Sequence, residues 1–267
     1  MTAMLEIKNL SKTFNAGTIN EKVALDHIHL TLNEGDFVTV IGGNGAGKST
    51  MLNAVAGVWP IDEGAIILDG QSITGYPDFK RASLIGRVFQ DPMMGTAPDM
   101  QIIENLALAE IRGKRRTLKW GVTKREKDDY KEQLKILDLG LEDRLTQKVG
   151  LLSGGQRQAL TLLMASIQKP KLLLLDEHTA ALDPKTAQFV LELTNQIVKE
   201  NKLTTMMVTH SMKQALQYGT RTVMLHQGRV VLDVSGEERE KLTVNDLLAM
   251  FEKNRGEEVT DDALLLG

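Results

Sequence analysis

GGNGAGKST at residues 42–50 has the residue types and spacing needed to hold a polyphosphate: Gly42, Gly47, Lys48 and Ser49 fit GxxxxGK followed by Ser or Thr. Glycines let backbone N–H groups curl around phosphate oxygens, and a helix starting at the loop adds a favourable dipole. Lys48 is suited to neutralising β- and γ-phosphate charge, and Ser49 offers a hydroxyl to Mg²⁺. A second feature, LLLLDE, ends an apolar run with Asp176 and Glu177. A carboxylate there can hold Mg²⁺, usually through water, and its neighbour can orient or deprotonate an attacking water. Together these residues imply nucleotide hydrolysis. A third feature, LLSGGQRQAL at 151–160, opens an expected helix with a serine and two glycines, again suited to an anion. A single chain with a complete phosphate loop has no evident use for it.

These residues need elements to position them. FVTVI (37–41) is fully apolar in texture, as expected of a central strand buried on both faces, and leads into the glycine loop and then a helix over about 49–59. LEIKNLSKTF (5–14) and KVALDHIHLTL (22–32) alternate as strands. Ile28, Leu30 and Leu32 share one face and His27, His29 and Thr31 the other, so the two histidines read as solvent-facing rather than as metal ligands. EGAIILDGQSIT (63–74) reads as a β pair around a glycine turn. From MMGTAPDM at 93 to about 150 the pattern turns helical and polar, a helical insert. KLLLLDE (171–177), LTTMMVTH (203–210) and TRTVMLHQGRVVLDV (220–234) return to β texture, with PKTAQFVLELTNQIVKEN spaced as an amphipathic helix between them. Strands alternating with helices around a glycine loop predict an α/β fold with a parallel core sheet.

At 267 residues the chain suffices for one large domain or two small ones. Hydrophobic residues at 42% and charged residues at 25% exclude a disordered chain, and a net charge of -3 argues against a general nucleic-acid binder. The absence of cysteine excludes disulfides and cysteine-ligated zinc and fits a reducing cytosol. No signal peptide is visible, and no apolar stretch approaches the roughly 18 residues of a membrane span.

Four more motifs narrow the chemistry: Gln90 in VFQDP, LSGGQ at 152–156, ALDP at 181–184, and His210 closing MMVTH. With the phosphate loop and the Asp176–Glu177 pair, in this order, they make the sequence resemble the nucleotide-binding subunit of an ABC transporter over about residues 4–245. The resemblance implies an α/β P-loop NTPase (RecA-like) core with an antiparallel β subdomain, about 1–92 and 155–245, an inserted α-helical subdomain, about 93–154, and a C-terminal tail, 246–267. It implies ATP and Mg²⁺, and a second copy of the chain closing head to tail, so that each ATP lies between one copy's phosphate loop and the other's LSGGQ. Carried over by motif, Phe14 stacks on adenine, although a core phenylalanine is the other reading of an alternating strand. Gly42, Gly43, Asn44, Gly45, Ala46, Gly47, Lys48, Ser49 and Thr50 cradle phosphates, while Ser49, Gln90 and Asp176 arrange Mg²⁺. Glu177 is the general base, His210 contacts the γ-phosphate and helps fix the water, and Lys48 and Gln90 complete the catalytic set. Ser153, Gly154, Gly155 and Gln156 serve the opposite copy's γ-phosphate, and Asp183 lies in the loop that couples the two sites.

The wording departs from the family's commonest at several positions. Gly43 stands where proline or serine is frequent, His178 and Ala180 turn DEPTSALDP into DEHTAALDP, and the helix after LSGGQ reads RQALTLLMAS. None removes a group needed for hydrolysis, but Ala180 lacks a hydroxyl near the implied interface. This wording resembles a bacterial subgroup that works with a substrate-binding protein of the tryptophan/tyrosine (amino-acid) uptake type. With no membrane segment, such a subunit is expected to act on separate transmembrane permease subunits at the cytoplasmic face of the cell membrane, in an importer-like arrangement. The docking groove is expected around Gln90 and the residues that follow, where Met93 and Met94 either receive a partner helix or pack in the insert's own core. RGKRRTLKWGVTKREK (112–127) holds eight basic residues and one acidic residue, and reads as a solvated face or as a contact with anionic headgroups or the permease. Non-transport members of the superfamily are the rival class. Their translation factors carry two cassettes per chain, and their chromosome and repair members carry long coiled-coil or zinc-bearing inserts, neither of which this sequence has.

Overall fold

Alternation of apolar and polar residues near the N-terminus builds the first sheet of the structure, a computed structural model that describes residues 2–114 and 121–255. It forms two compact units, one of residues up to 81 with those from 202 onward, the other of residues 82–201. In the first unit, β1 (Ala3–Phe14) and β2 (Lys22–Asn33) pair antiparallel. Ile7 faces Leu30 in β2, and Leu10 faces Ile28, so alternate apolar residues form one buried layer while His27, His29 and Thr31 stand exposed. β3 (Phe37–Ile41) is buried at every position and feeds the glycine loop and α1 (Lys48–Ala56). β4 (Glu63–Leu68) and β5 (Gln71–Ser72) complete the first sheet in the order β2-β1-β4-β5.

The short α2 (Asp78–Arg81) explains where α1 ends. The pattern predicts a helix to about residue 59, yet α1 stops at Ala56. Arg81, buried to 3% exposure, donates through Nη1 to the carbonyls of Ala54 and Val55 at 2.8 and 2.9 Å, capping the helix end with a cation.

The second unit begins with β6 (Ile85–Val88), which pairs in parallel with β7 (Leu172–Asp176). Between them in sequence lie α3 (Ile102–Glu110), α4 (Lys124–Lys135) and α5 (Gly154–Ser166). Capping boxes start α3 at Gln101 and Glu104 and α4 at Thr123 and Glu126, which helps the polar α4 in particular hold helical form. Tyr130 of α4 donates its hydroxyl to the Glu110 carboxylate at the end of α3, tying the pair. α6 (Pro184–Asn201) follows β7 over the residues whose spacing predicts it. β6, β7, α5 and α6 share this unit with the helical segment.

The chain returns to the first unit through β8 (Thr205–Val208), α7 (Met212–Gln217), β9 (Arg221–His226), β10 (Arg229–Ser235), α8 (Gly236–Glu240) and α9 (Val244–Arg255). β3 lies parallel to β8 and β9 on its two sides, as expected of a wholly buried core strand. Its one polar residue, Thr39, is satisfied: the hydroxyl lies 3.1 Å from the Ala215 and Arg221 carbonyls and 2.9 Å from the Thr222 hydroxyl. Leu247 and Phe251 of α9 join Ile41, Met212, Ala215 and Met224 in a buried cluster, so this part of the expected tail is core. The rest of that tail, 256–267, lies outside the described residues. No described helix is long and apolar enough to cross a membrane.

Candidate functional site

In the first unit the phosphate loop hangs from the end of β3. Gly42 has φ 148°, and a Cβ there would lie 2.2 Å from the Leu225 carbonyl oxygen, so only glycine permits the loop to pass so close to β9. The Gly228 N–H donates to the Ala46 carbonyl at 3.0 Å, bracing the loop from the β9–β10 turn. Lys48 is buried and donates from Nζ to the carbonyls of Gly42 and Gly43 at 2.7 and 3.1 Å. Ser49 is exposed in the first turn of α1, whose leading N–H groups fall outside the helix's own ladder. A buried ammonium in a glycine loop at a helix start suits an anion.

Phe14 is half-buried, with its ring meeting Trp59 edge-on at 5.0 Å between centroids. Asp62 anchors this strand end, accepting from Lys12 Nζ at 2.7 Å and from the Thr13 N–H at 2.5 Å, and the Lys12 ammonium holds its carboxyl below the usual range. Lys22 faces Phe14 in the β1–β2 register and brings its Nζ 3.4 Å from where a Gly45 Cβ would stand. No motif marks Lys22, and only strand pairing reveals this second cation beside the loop. His210 follows β8, is exposed, and is held close to the end of β3 by the Thr209 N–H, which donates to Val40 O at 3.1 Å.

In the second unit Val88 pairs with Leu175, so Gln90 and the Asp176–Glu177 pair emerge at the same edge of neighbouring strands. Gln90 is exposed, and Gln158 of α5 fixes its approach by donating to the Phe89 carbonyl at 3.0 Å. Arg87 donates from Nη2 to the Asp176 carboxylate at 3.2 Å, and its guanidinium lies 4.5 Å from the Phe89 ring centroid. Sequence reasoning missed this pair. Glu177 leaves β7 with φ 46°, a conformation a non-glycine residue seldom adopts.

Ser153 caps α5. Its hydroxyl accepts the Gln156 N–H at 3.3 Å, and Gln156 Oε1 accepts the Ser153 N–H at 3.1 Å. The box secures the third N–H of the helix and leaves those of Gly154 and Gly155 outside the ladder. A Cβ on Gly155 would lie 2.2 Å from Thr186 Cγ2, so glycine lets α5 begin hard against α6. Asp183 caps α6 by accepting the Thr186 N–H at 3.1 Å, and hydrogen bonds from Thr186 hold its carboxyl below the usual range. LSGGQ and Asp183 are thereby neighbours.

His178, next to Glu177, is buried to 2% exposure with its Nε2 3.0 Å from the Thr194 hydroxyl. Thr194 already donates that hydroxyl to the Val190 carbonyl at 2.7 Å, so the neutral imidazole must donate from Nε2. Burial pushes its pKa down to about 4 from 6.5. The unfolded chain therefore takes up this proton first, and the stability tied to the neutral ring is complete above pH 6.5 and is lost as pH falls to about 4. Urea unfolding should show a gap of about 3 kcal/mol opening over that window between wild type and His178→Gln, which keeps a donor but does not titrate. Parallel pH profiles would contradict this.

Met93 and Met94 are exposed, at 49% and 68%, rather than packed in the insert's core. Of the basic segment, residues 115–120 lie outside the described residues, while Lys114, Lys124, Arg125 and Lys127 are exposed. Arg112 is not part of that face: it turns inward, donating to the Ala165 carbonyl at 3.3 Å, and burial lowers its pKa.

The chain is similar to known proteins. Residues 25–180 match the family model described as ABC transporter. The chain is 48% identical over 249 residues to the Tyrosine transport ATP-binding protein of Clostridioides difficile (strain R20291), covering 93% of this chain and 99% of that protein. It is 34% identical over 238 residues to the Phosphonates import ATP-binding protein PhnC 2 of Oceanobacillus iheyensis, covering 86% of this chain and 89% of the relative. Among solved structures, an ATP-binding cassette in a dimeric post-hydrolysis state bound to ADP and Pi matches with a TM-score of 0.74 at 30% identity, over 87% of this chain and 98% of that one.

Proposed function

Because this chain belongs to the ABC transporter family, as an ATP-binding subunit whose ATP hydrolysis is coupled to transport, we propose that it acts as two copies closing head to tail on Mg-ATP. Phe14 stacks on adenine, and the N–H groups of residues 42–50 receive the phosphates. Lys48 exchanges the Gly42 and Gly43 carbonyls for phosphate oxygens, a swap favoured because those oxygens are charged. The Ser49 hydroxyl, the Gln90 amide oxygen and the Asp176 carboxylate are hard oxygen donors and would hold Mg²⁺, which when bound neutralises charge on the β- and γ-phosphates. Among the described residues no group of three or more His, Cys, Asp or Glu could hold a metal ion by itself. Glu177 takes the proton of the attacking water, and His210 steadies that water against the γ-phosphate. Water oxygen bonds to the γ-phosphorus, the bridge to the β-phosphate breaks, and ADP and phosphate leave. Ser153, Gly154, Gly155 and Gln156 of the second copy stabilise the γ-phosphate, and Asp183 couples the two sites.

The carrying observation is that Ser153 caps a second helix start suited to an anion in a chain that already owns a phosphate loop. The dimeric cassette of like fold supports two copies, and the tyrosine-transport relative supports import of an amino acid of that kind. Transmembrane permease subunits dock at the exposed Met93 and Met94, with this subunit at the cytoplasmic face, and a substrate-binding protein delivers the solute. The test is the ATPase rate of the purified chain against its own concentration. Below the dissociation constant of the pair, specific activity should fall about in proportion to dilution, tenfold for tenfold. Constant specific activity from a protein that sediments as a monomer would overturn the two-copy reading.

A further inference from the structure

We propose that Arg87 is a built-in counter-ion for Asp176, holding that carboxylate when Mg²⁺ is absent and so lessening the gain in nucleotide affinity that Mg²⁺ brings. The proposal rests on the reading of Asp176 as a Mg²⁺-holding group. Arg87 Nη2 meets Asp176 Oδ2 at 3.2 Å, and both side chains are largely withdrawn from water, at 14% and 15% exposure, so their charges are weakly screened. The contact is made through one nitrogen, while Nε is buried without a hydrogen-bond partner, so the fork is not fully satisfied by the carboxylate. The Phe89 ring, 4.5 Å from the guanidinium, gives the cation a second hold that does not depend on Asp176. Arg87 can therefore stay in place when the carboxylate turns to a metal. A guanidinium so placed competes with a divalent ion for Asp176 and repels it.

The measurement is ATP affinity by equilibrium dialysis in EDTA and in saturating Mg²⁺, which gives a Mg²⁺ enhancement ratio for each variant. Arg87→Met should raise that ratio about three- to tenfold over wild type, the scale of a weak to moderate ion pair. Arg87→Gln, which keeps donors but no charge, should do the same, so the test survives if one variant fails to fold. Arg87→Lys should stay near wild type. In an Asp176→Asn background, Arg87→Met should change nothing, because the competition has lost its object. An unchanged or lowered ratio in the neutral variants would overturn the proposal, a lowered one meaning that Arg87 assists the metal. Wild-type protein that binds no ATP in either condition would instead remove the functional reading beneath it.

Discussion

Glu177→Gln should leave ATP binding within a few-fold of wild type, lower hydrolysis about 10²–10⁴-fold, and trap the protein as a nucleotide-bound dimer. Glutamine matches glutamate in shape but cannot accept the water's proton. If Glu177 acts as the base, the change would also remove a negative charge beside the γ-phosphate, so the closed pair would lose both its chemistry and a source of repulsion. Glu177 stands just past Asp176 at the end of β7, with its backbone in a seldom-used conformation that sets its direction apart from the strand's. ATPase assays with size-exclusion chromatography in ATP check all three outcomes. Hydrolysis at the wild-type rate would remove Glu177 from the role of base.

Ser153→Arg should spare ATP binding by the separate chain and abolish hydrolysis by the pair. The cap itself matters little to stability: losing the Ser153 hydroxyl's bond to the Gln156 N–H costs about 1 kcal/mol. The damage is local and functional, since arginine fills the mouth of α5 where a γ-phosphate would rest. A mixing experiment decides whether this site serves its own chain or another. Ser153→Arg and Lys48→Ala should each be inactive alone. Mixed, they form pairs in which one composite site carries both lesions and the other none, so activity returns to about a quarter of wild type if sites fire independently. Absence of recovery, with mixed pairs shown to form, would place the function of LSGGQ within one chain.

Much of the site was legible because its chemistry is written in contiguous stretches. GGNGAGKST, LLLLDE and LSGGQ each carry their glycines, cations and carboxylates within one strand-to-helix junction, where a few residues dictate loop geometry. β3 and α6 fall on the residues expected for the same reason: an unbroken apolar run and a 3.6-residue rhythm are local signals. Met93 and Met94 were harder, because a methionine reads alike in a core and on a surface, and only their exposure separates the two.

The sequence by itself determined the family, the candidate reactive groups, and most of the strands and helices that present them. Tertiary structure alone decided which charges meet. Arg87 reaches Asp176 because β6 and β7 run parallel in register across 89 positions of chain. Arg81 ends α1, Lys22 stands over Gly45, and His178 is locked by Thr194 through the same kind of encounter. Such pairings depend on strand register and helix packing, which no short window of residues contains. They also set what the motifs leave open, namely how tightly a carboxylate is held and which histidine stays neutral, because electrostatic strength depends on distance and burial rather than on order in the chain.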